Sequence, residues 1–256
     1  MMKIITTIIA GLLLAGTAAA AERTKPTIVL VHGAFADSSS WNGVIAILAK
    51  DGYPVIAAPN ALRSVKSDAD GVRALLDTIK TPIVLVGHSY GGMVISNAAT
   101  GEKNVKALVY VSAFAPEAGE NAGALDAKFP GSALGPALMQ VPLAAGGHDL
   151  YVQQDKFREA FAPDLPAAAA KLASVTQRPI TDAAFGEAAS EPAWKTIPSW
   201  FIYGDDDTAI PPKALAFMAE RAGARETEVI KGASHVVMVS HPKAVAKIIE
   251  EAASAH

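Results

Sequence analysis

The chain contains no cysteine. Disulfides, thiolate-bound metals and a lipidated amino-terminal cysteine are therefore excluded. Charge is also scarce: 22 Lys and Arg against 25 Asp and Glu leave a net charge of -3, and only 18% of residues are charged. No basic patch offers itself to nucleic acid and no acidic tail is present, so the expected partner is a small, uncharged molecule. Internal repeats are missing. The neighbouring acids Asp205, Asp206 and Asp207 form no recognised ligand spacing with the histidines, so neither a metal nor another cofactor is expected. Nothing marks a second globular domain, and 51% hydrophobic residues with 20 Gly and 16 Pro in 256 residues suit one α/β domain with a full core.

The longest apolar run lies at the start. Lys3 precedes an almost wholly apolar stretch from Ile4 to Leu14, followed by small residues from Ala15 to Ala21. This is the pattern of a secretory signal cleaved near Ala20 or Ala21, with an apolar core that is short for a bilayer span. No twin arginine precedes it, which favours the general export route. Residues 1–21 are read as a signal peptide, and residues 22–256 as a protein expected in the periplasm or outside the cell without stable membrane insertion.

Beyond this segment, strand and helix patterns alternate. Thr27 to Val31 is β-branched and continuously apolar, as a strand covered on both faces should be. It runs into His32-Gly33-Ala34-Phe35, and Asp37 or Ser38 can cap a helix over Trp41 to Lys50. Strands are expected at Tyr53–Ala58, Pro82–Val86, Lys106–Ala113, Pro198–Tyr203 and Glu226–Ile230. Helices are expected at Ser67–Lys80, Met93–Ala99, Lys213–Arg221 and Pro242–Ala253. Alternation of this kind implies parallel strands joined by right-handed crossovers, hence a doubly wound, mostly parallel sheet. From Phe114 to Trp194 the rhythm breaks, with helical patterns only at Gln154–Phe161 and Leu165–Val175. Core segments 26–116 and 196–256 are thus expected to carry an inserted cap over about 117–195. Its aliphatic content predicts an apolar chamber above the sheet's carboxyl edge.

The chemistry centres on Gly87-His88-Ser89-Tyr90-Gly91, placed between a strand and a helix. A nucleophilic serine needs such a tight turn to expose its hydroxyl and to aim the next residue's amide at the same reaction centre; Gly87 and Gly91 make room, and Gly92 lets helix and strand pack closely. After two later strands come Asp207 and His235. An imidazole can take the serine proton, and a carboxylate can hold its tautomer and stabilise the imidazolium. The amides of Ala34 and Tyr90 are the expected oxyanion donors. His32, ahead of its turn, is expected to be a structural hydrogen-bonding residue, and His241, beside Pro242, a helix-start residue. His148, Asp149, Gln177 and Arg178 in the cap are read as solvated or helix-capping residues, with contact to a substrate as the alternative.

Five stretches, VLVHGAF, VLVGHSYGGMV, ALVYVSAFAPE, YGDDDTAIPP and IKGASHVVMVSHP, resemble in order the α/β-hydrolase superfamily, especially the branch of plant methyl esterases and hydroxynitrile lyases. The resemblance covers roughly residues 27–116 and 198–252 and is loose across the cap. It implies the α/β-hydrolase fold, with Ser89 as nucleophile, Asp207 as acid, His235 as base, and Ala34 with Tyr90 as oxyanion donors. The lyases carry threonine after the first motif's histidine and lysine after the catalytic histidine; Gly33 and Val236 stand here, which points to ester hydrolysis. The expected activity is cleavage of small to medium apolar carboxylic esters through an acyl-enzyme. The alternatives are hydroxynitrile-lyase-like, lactone or peracid chemistry on the same three residues, or non-catalytic small-molecule binding on a hydrolase fold.

Overall fold

The computed structural model describes residues 24–255, so the stretch read as a signal peptide lies outside the described residues. In chain order the first half forms β1 (Thr27–Val31), a 3-10 turn (Ser38–Trp41), α1 (Asn42–Lys50), β2 (Val55–Ala58), α2 (Val65–Leu76), β3 (Ile83–His88), α3 (Gly91–Ala98) and β4 (Val105–Val111). Next come α4 (Ala122–Lys128), α5 (Leu134–Ala137), β5 (Leu138–Pro142), β6 (His148–Val152), α6 (Phe157–Phe161), α7 (Ala167–Thr176), β7 (Ile180–Thr181) and α8 (Asp182–Gly186). A second 3-10 turn (Ala193–Lys195) leads to β8 (Ser199–Gly204), α9 (Pro212–Arg221), β9 (Glu226–Ile230), α10 (Val237–Ser240) and α11 (Pro242–Ser254).

Six strands form one parallel sheet in the order β2-β1-β3-β4-β8-β9. Every residue of β1, β3 and β8 is buried, which explains their unbroken apolar runs. β9 at the edge reads ETEVI and is half exposed, its two glutamates discouraging another chain from pairing there. Right-handed crossovers place α1 and α11 on one face, packed together, and α2, α3 and α9 on the other. Because the chain winds from β1 outward to β2 and then returns to β3, the strand order reverses between β1 and β3. A reversal of this kind is where open α/β sheets bring the loops of a binding site together, at the strands' carboxyl ends.

The core elements match the sequence expectation to within a few residues. α2 begins two residues early because Ser64 caps it, its hydroxyl accepting from the Ser67 amide at 2.9 Å. Asp37 likewise caps the first turn through the Ser39 amide at 2.7 Å. The cap differs more. A three-stranded antiparallel sheet, β5-β6-β7, stands where no strands were expected. Its β5 is largely exposed and β7 has two residues, so neither presents an apolar alternation; the Gly146 and Gly147 turn, with φ of 93° and 75°, joins β5 to β6.

Gly92 shows how tightly the motif helix sits: a Cβ there would lie 2.1 Å from the Phe114 carbonyl oxygen. Gly71 in α2 has nothing within 4 Å. Gly92→Ala should therefore destabilise the protein by about 3 kcal/mol, through a backbone shift, and lower Tm by roughly 6–12 °C. Gly71→Ala should raise stability by about 0.5–1 kcal/mol, since only helix entropy changes. Thermal melts of both variants check the pair; equal effects would contradict this packing.

Candidate active site

β3 delivers His88 to the carboxyl edge of the sheet and the chain turns at once into α3, which forces Ser89 to φ 54°, in the left-handed region. A non-glycine residue there is strained by about 1–3 kcal/mol. The turn is held by the Ser89 carbonyl, which accepts from the amides of Gly92 at 2.9 Å and Phe114 at 3.2 Å, and by the Ser89 amide, which donates to the Val111 carbonyl at 3.3 Å. Ser89 is 7% exposed. Among the described residues, neither the Tyr90 amide nor the Ala34 amide donates to another protein group. Both belong to turns at the ends of the neighbouring strands β3 and β1.

The loops after β8 and β9 meet the same edge. Asp207 Oδ2 lies 2.8 Å from His235 Nδ1, and Asp207 Oδ1 accepts from the amides of Ala209 and Ile210, each at 2.9 Å. Both side chains are almost wholly buried. A carboxylate on Nδ1 puts the ring proton there and leaves Nε2 as a bare acceptor, the tautomer a general base needs. Nε2 has no hydrogen-bond partner among the described residues, so the Ser89 hydroxyl is not bonded to it in this rotamer. Asp205 serves the loops: its Oδ1 accepts from the Gly232 amide at 2.6 Å.

His88, which drew no attention beyond its place in the motif, links the serine turn to the histidine loop. Its Nε2–H donates to the His235 carbonyl at 3.1 Å, and the two rings lie 4.8 Å apart. Burial, and next the neighbouring His235, hold its pKa well below the usual histidine range. His32 is also held low by burial; its Nδ1–H donates to the Gly33 carbonyl at 2.9 Å while Nε2 accepts from the Asn60 amide at 3.1 Å. That is the structural role expected of it. His241 starts α11 and shares a hydrogen bond with the Ser240 hydroxyl.

Two further acids near the site escaped the sequence. Asp68, buried on α2, accepts from the Tyr90 hydroxyl at 3.0 Å and from the Arg63 amide, and burial raises its pKa. Its only sequence signal was a carboxylate in a helix's first turn. Asp164, between α6 and α7, accepts from the Ser234 amide at 3.1 Å and from the Ser234 hydroxyl. Nothing in its Pro- and Ala-rich surroundings marked it. The four cap residues singled out earlier are engaged in the cap and its contacts with the core. His148 meets Asp182 at 3.0 Å, Asp149 meets Arg63 at 2.6 Å, the Gln177 amide brackets Val152, and the Arg178 carbonyl accepts from Phe35.

Gly33 leaves no open space beside the serine: a Cβ there would sit 2.6 Å from Ser89 Cβ and 2.7 Å from the His88 carbonyl oxygen. The position is filled by the serine turn itself, so a threonine cannot be added without moving Ser89. Val236 is buried and apolar, as expected, and helps line a cavity of about 310 Å³ between α7, α10 and the loop after β1. Among the described residues no three His, Asp or Glu side chains gather as a metal site.

The two low-pKa histidines make stability depend on pH. They stay neutral in the folded chain as pH falls through about 6.5, while the unfolded chain takes up protons; stability is therefore complete above that pH and declines below it, by up to about 1.4 kcal/mol per pH unit for each. His88→Gln, which keeps a donor for the His235 carbonyl, should flatten the fall between pH 7 and 5.5. Denaturant midpoints of wild type and variant at both pH values check this, and an unchanged slope would contradict a neutral buried His88.

The chain is similar to known proteins over most of its length. A probable hydrolase of Phoma sp. is 27% identical over 249 residues, spanning 90% of this chain and 99% of its own length. The alpha-hydroxynitrile lyase of Arabidopsis thaliana is 24% identical over 241 residues, 86% of this chain and 93% of its own. A crystal structure of polyneuridine aldehyde esterase has a TM-score of 0.77 at 20% identity, covering 89% of this chain and 98% of that one. The family model matches residues 28–248, spanning both halves of the sheet and the cap between them, and the chain belongs to the alpha/beta hydrolase family.

Proposed function

We propose that this chain is a serine hydrolase that cleaves small to medium apolar carboxylic esters. Ser89 is the nucleophile, His235 its base, Asp207 the acid that orients His235, and the Ala34 and Tyr90 amides the oxyanion donors. The observation that carries this reading is the buried Asp207–His235 contact at 2.8 Å, with Asp207's second oxygen satisfied by two amides and His235 Nε2 left unpaired. A carboxylate so held supports the Nδ1–H tautomer and the later imidazolium.

In the first step Nε2 takes the Ser89 proton while Oγ adds to the ester carbonyl, after Ser89 rotates about its Cα–Cβ bond. The oxyanion that forms is met by two amides that have no other partner among the described residues, so little reorganisation is needed as charge develops. Imidazolium then protonates the departing alcohol. A water, deprotonated by the same nitrogen, releases the acid from the acyl-enzyme.

The likeness to a named hydroxynitrile lyase raises a second reading, carbon–carbon cleavage. A departing cyanide needs a positive charge near it, and Val236 supplies none. The missing charge-assisted contact is worth about 1.5–3 kcal/mol, or one to two powers of ten in rate. The purified protein should hydrolyse an aryl acetate and leave mandelonitrile essentially uncleaved in parallel assays; faster cyanohydrin cleavage would overturn the ester reading.

Ser89→Ala should abolish ester turnover while the protein stays folded, and a phosphonate ester should label Ser89 in wild type. Asp207→Asn should lower turnover by on the order of 10⁴, as in other triads. Asp205→Asn, whose carboxylate reaches a loop amide and not His235, should lose far less. Labelling at another residue, or a larger loss at Asp205, would refute these roles.

We also propose export through the amino-terminal segment, after which the mature enzyme works free of the membrane. Sequencing the amino terminus of protein recovered outside the cytoplasm should find it near residue 21 or 22.

A further inference from the structure

Ser89, Asp207 and His235 are almost wholly buried, so an ester that reaches the serine must pass the side chains packed around it. The cavity of about 310 Å³ lies against the site, and two of its wall residues are chain neighbours of site residues: Phe35 follows Ala34 and Val236 follows His235. A third wall residue, Phe161, touches the imidazole itself. Its ring lies 5.0 Å from His235 at 63°, and 5.8 Å from Phe35 at 88°. Phe161 is thus a partition one ring thick between the cavity and His235.

The backbone around that partition is anchored to both loops of the site. The Thr208 hydroxyl contacts the carbonyls of Glu159 and Ala160 at 3.3 Å, and Asp164 binds the Ser234 amide and hydroxyl. With the carboxyl-terminal part of α6 tied to both loops of the site, the side chain is the part left free to move. Phe35, its partner across the cavity, sits at φ 59°, a conformation a bulky side chain adopts only when its surroundings impose it; here its amide donates to the Arg178 carbonyl at 2.9 Å.

We propose that this cavity is the acyl-chain subsite, and that Phe161 swings aside to admit the chain and sets the preferred acyl length. This rests on the ester-hydrolase reading above. Leu165, Leu172 and Met238 give the walls an aliphatic character, while Asp37, Ser40 and Gln177 are its polar members, which suits an aliphatic acyl group. A volume of about 310 Å³ lies at the small end of ligand pockets and suits a medium-length chain better than a polycyclic one. The acyl arm is the one retained through both steps, so a chamber separate from the alcohol's exit serves it best. Each methylene moved from water to these walls is worth about fourfold in kcat/KM.

The test measures kcat/KM for p-nitrophenyl esters from acetate to decanoate, and for alkyl acetates of matched length. For wild type, kcat/KM should climb with acyl length to a medium chain and then fall, with little response to alcohol length. Leu172→Trp, on an exposed position of α7 at the cavity, should lower the octanoate-to-acetate ratio at least tenfold, and Ala169→Phe on the same helix should repeat it. Phe161→Ala and Phe161→Leu should raise the ratio or move the optimum to longer chains. Ratios within twofold of wild type in all four variants, or a response to alcohol length instead, would overturn the proposal. Calorimetry of methyl octanoate with Ser89→Ala, with and without Leu172→Trp, reads the cavity without turnover. Absence of any Ser89-dependent ester hydrolysis would defeat the catalytic reading, and unchanged octanoate binding with the cavity blocked would defeat the subsite.

Discussion

The site depends on how closely the loops after β8 and β9 approach each other. A Cβ on Gly204 would fall 1.9 Å from the Ala233 carbonyl oxygen, so the two backbones meet where only a glycine fits. Three hydrogen bonds seal the contact: Asp206 amide to Ala233 carbonyl, Asp205 amide to Ile230 carbonyl, and Gly232 amide to the Asp205 carboxylate. Asp207 and His235 are then aligned by the approach of the two loop backbones, with the Asp205, His88 and Asp164 side chains fixing the loops. Their buried contact needs little further ordering of side chains, so the carboxylate and the imidazole keep their mutual orientation.

The second half of the site comes from topology. β1 and β3 are adjacent because the chain winds outward in one direction and then the other, and the turns that end them lie side by side. Gly33 packs against Ser89 Cβ, so the turn bearing Ala34 and the strained turn bearing Ser89 brace one another. Strain at Ser89 is tolerated because the bonds to Val111, Gly92 and Phe114 over-determine the turn. The buried Asp68 adds a third support, holding the ring of Tyr90 whose amide faces the proposed oxyanion position.

The cap is fastened to this platform, not merely laid over it. Arg63, in the loop before α2, reaches Asp149 and the Pro179 carbonyl, and Thr181 returns two bonds to the same loop. On the opposite side Asp164 and the α6 carbonyls hold the loops of His235 and Asp207. The helix-capping and ion-pair groups of the cap are therefore spent on position, and the apolar remainder forms the cavity wall.

By itself the sequence determined the parallel central sheet and which loops lie along its carboxyl edge. Buried parallel strands demand unbroken apolar runs, and tight strand-to-helix turns demand small residues at fixed spacing, so Thr27–Val31, Pro82–Val86 and the Ser89 motif were legible without coordinates. Asp207, and not Asp205, came from the family resemblance, and the structure sets the Asp207 carboxylate on His235 while Asp205 reaches the Gly232 amide. Tertiary structure alone decided the rest. The cap sheet has strands too short and too exposed to show a period. Asp68, His88, Asp164 and Phe161 act through partners 22, 147, 70 and 74 positions away, and local pattern carries no information about such pairs. Gly33 shows the same limit: an absent side chain looks like space in a sequence, and only the fold reveals that Ser89 already occupies it.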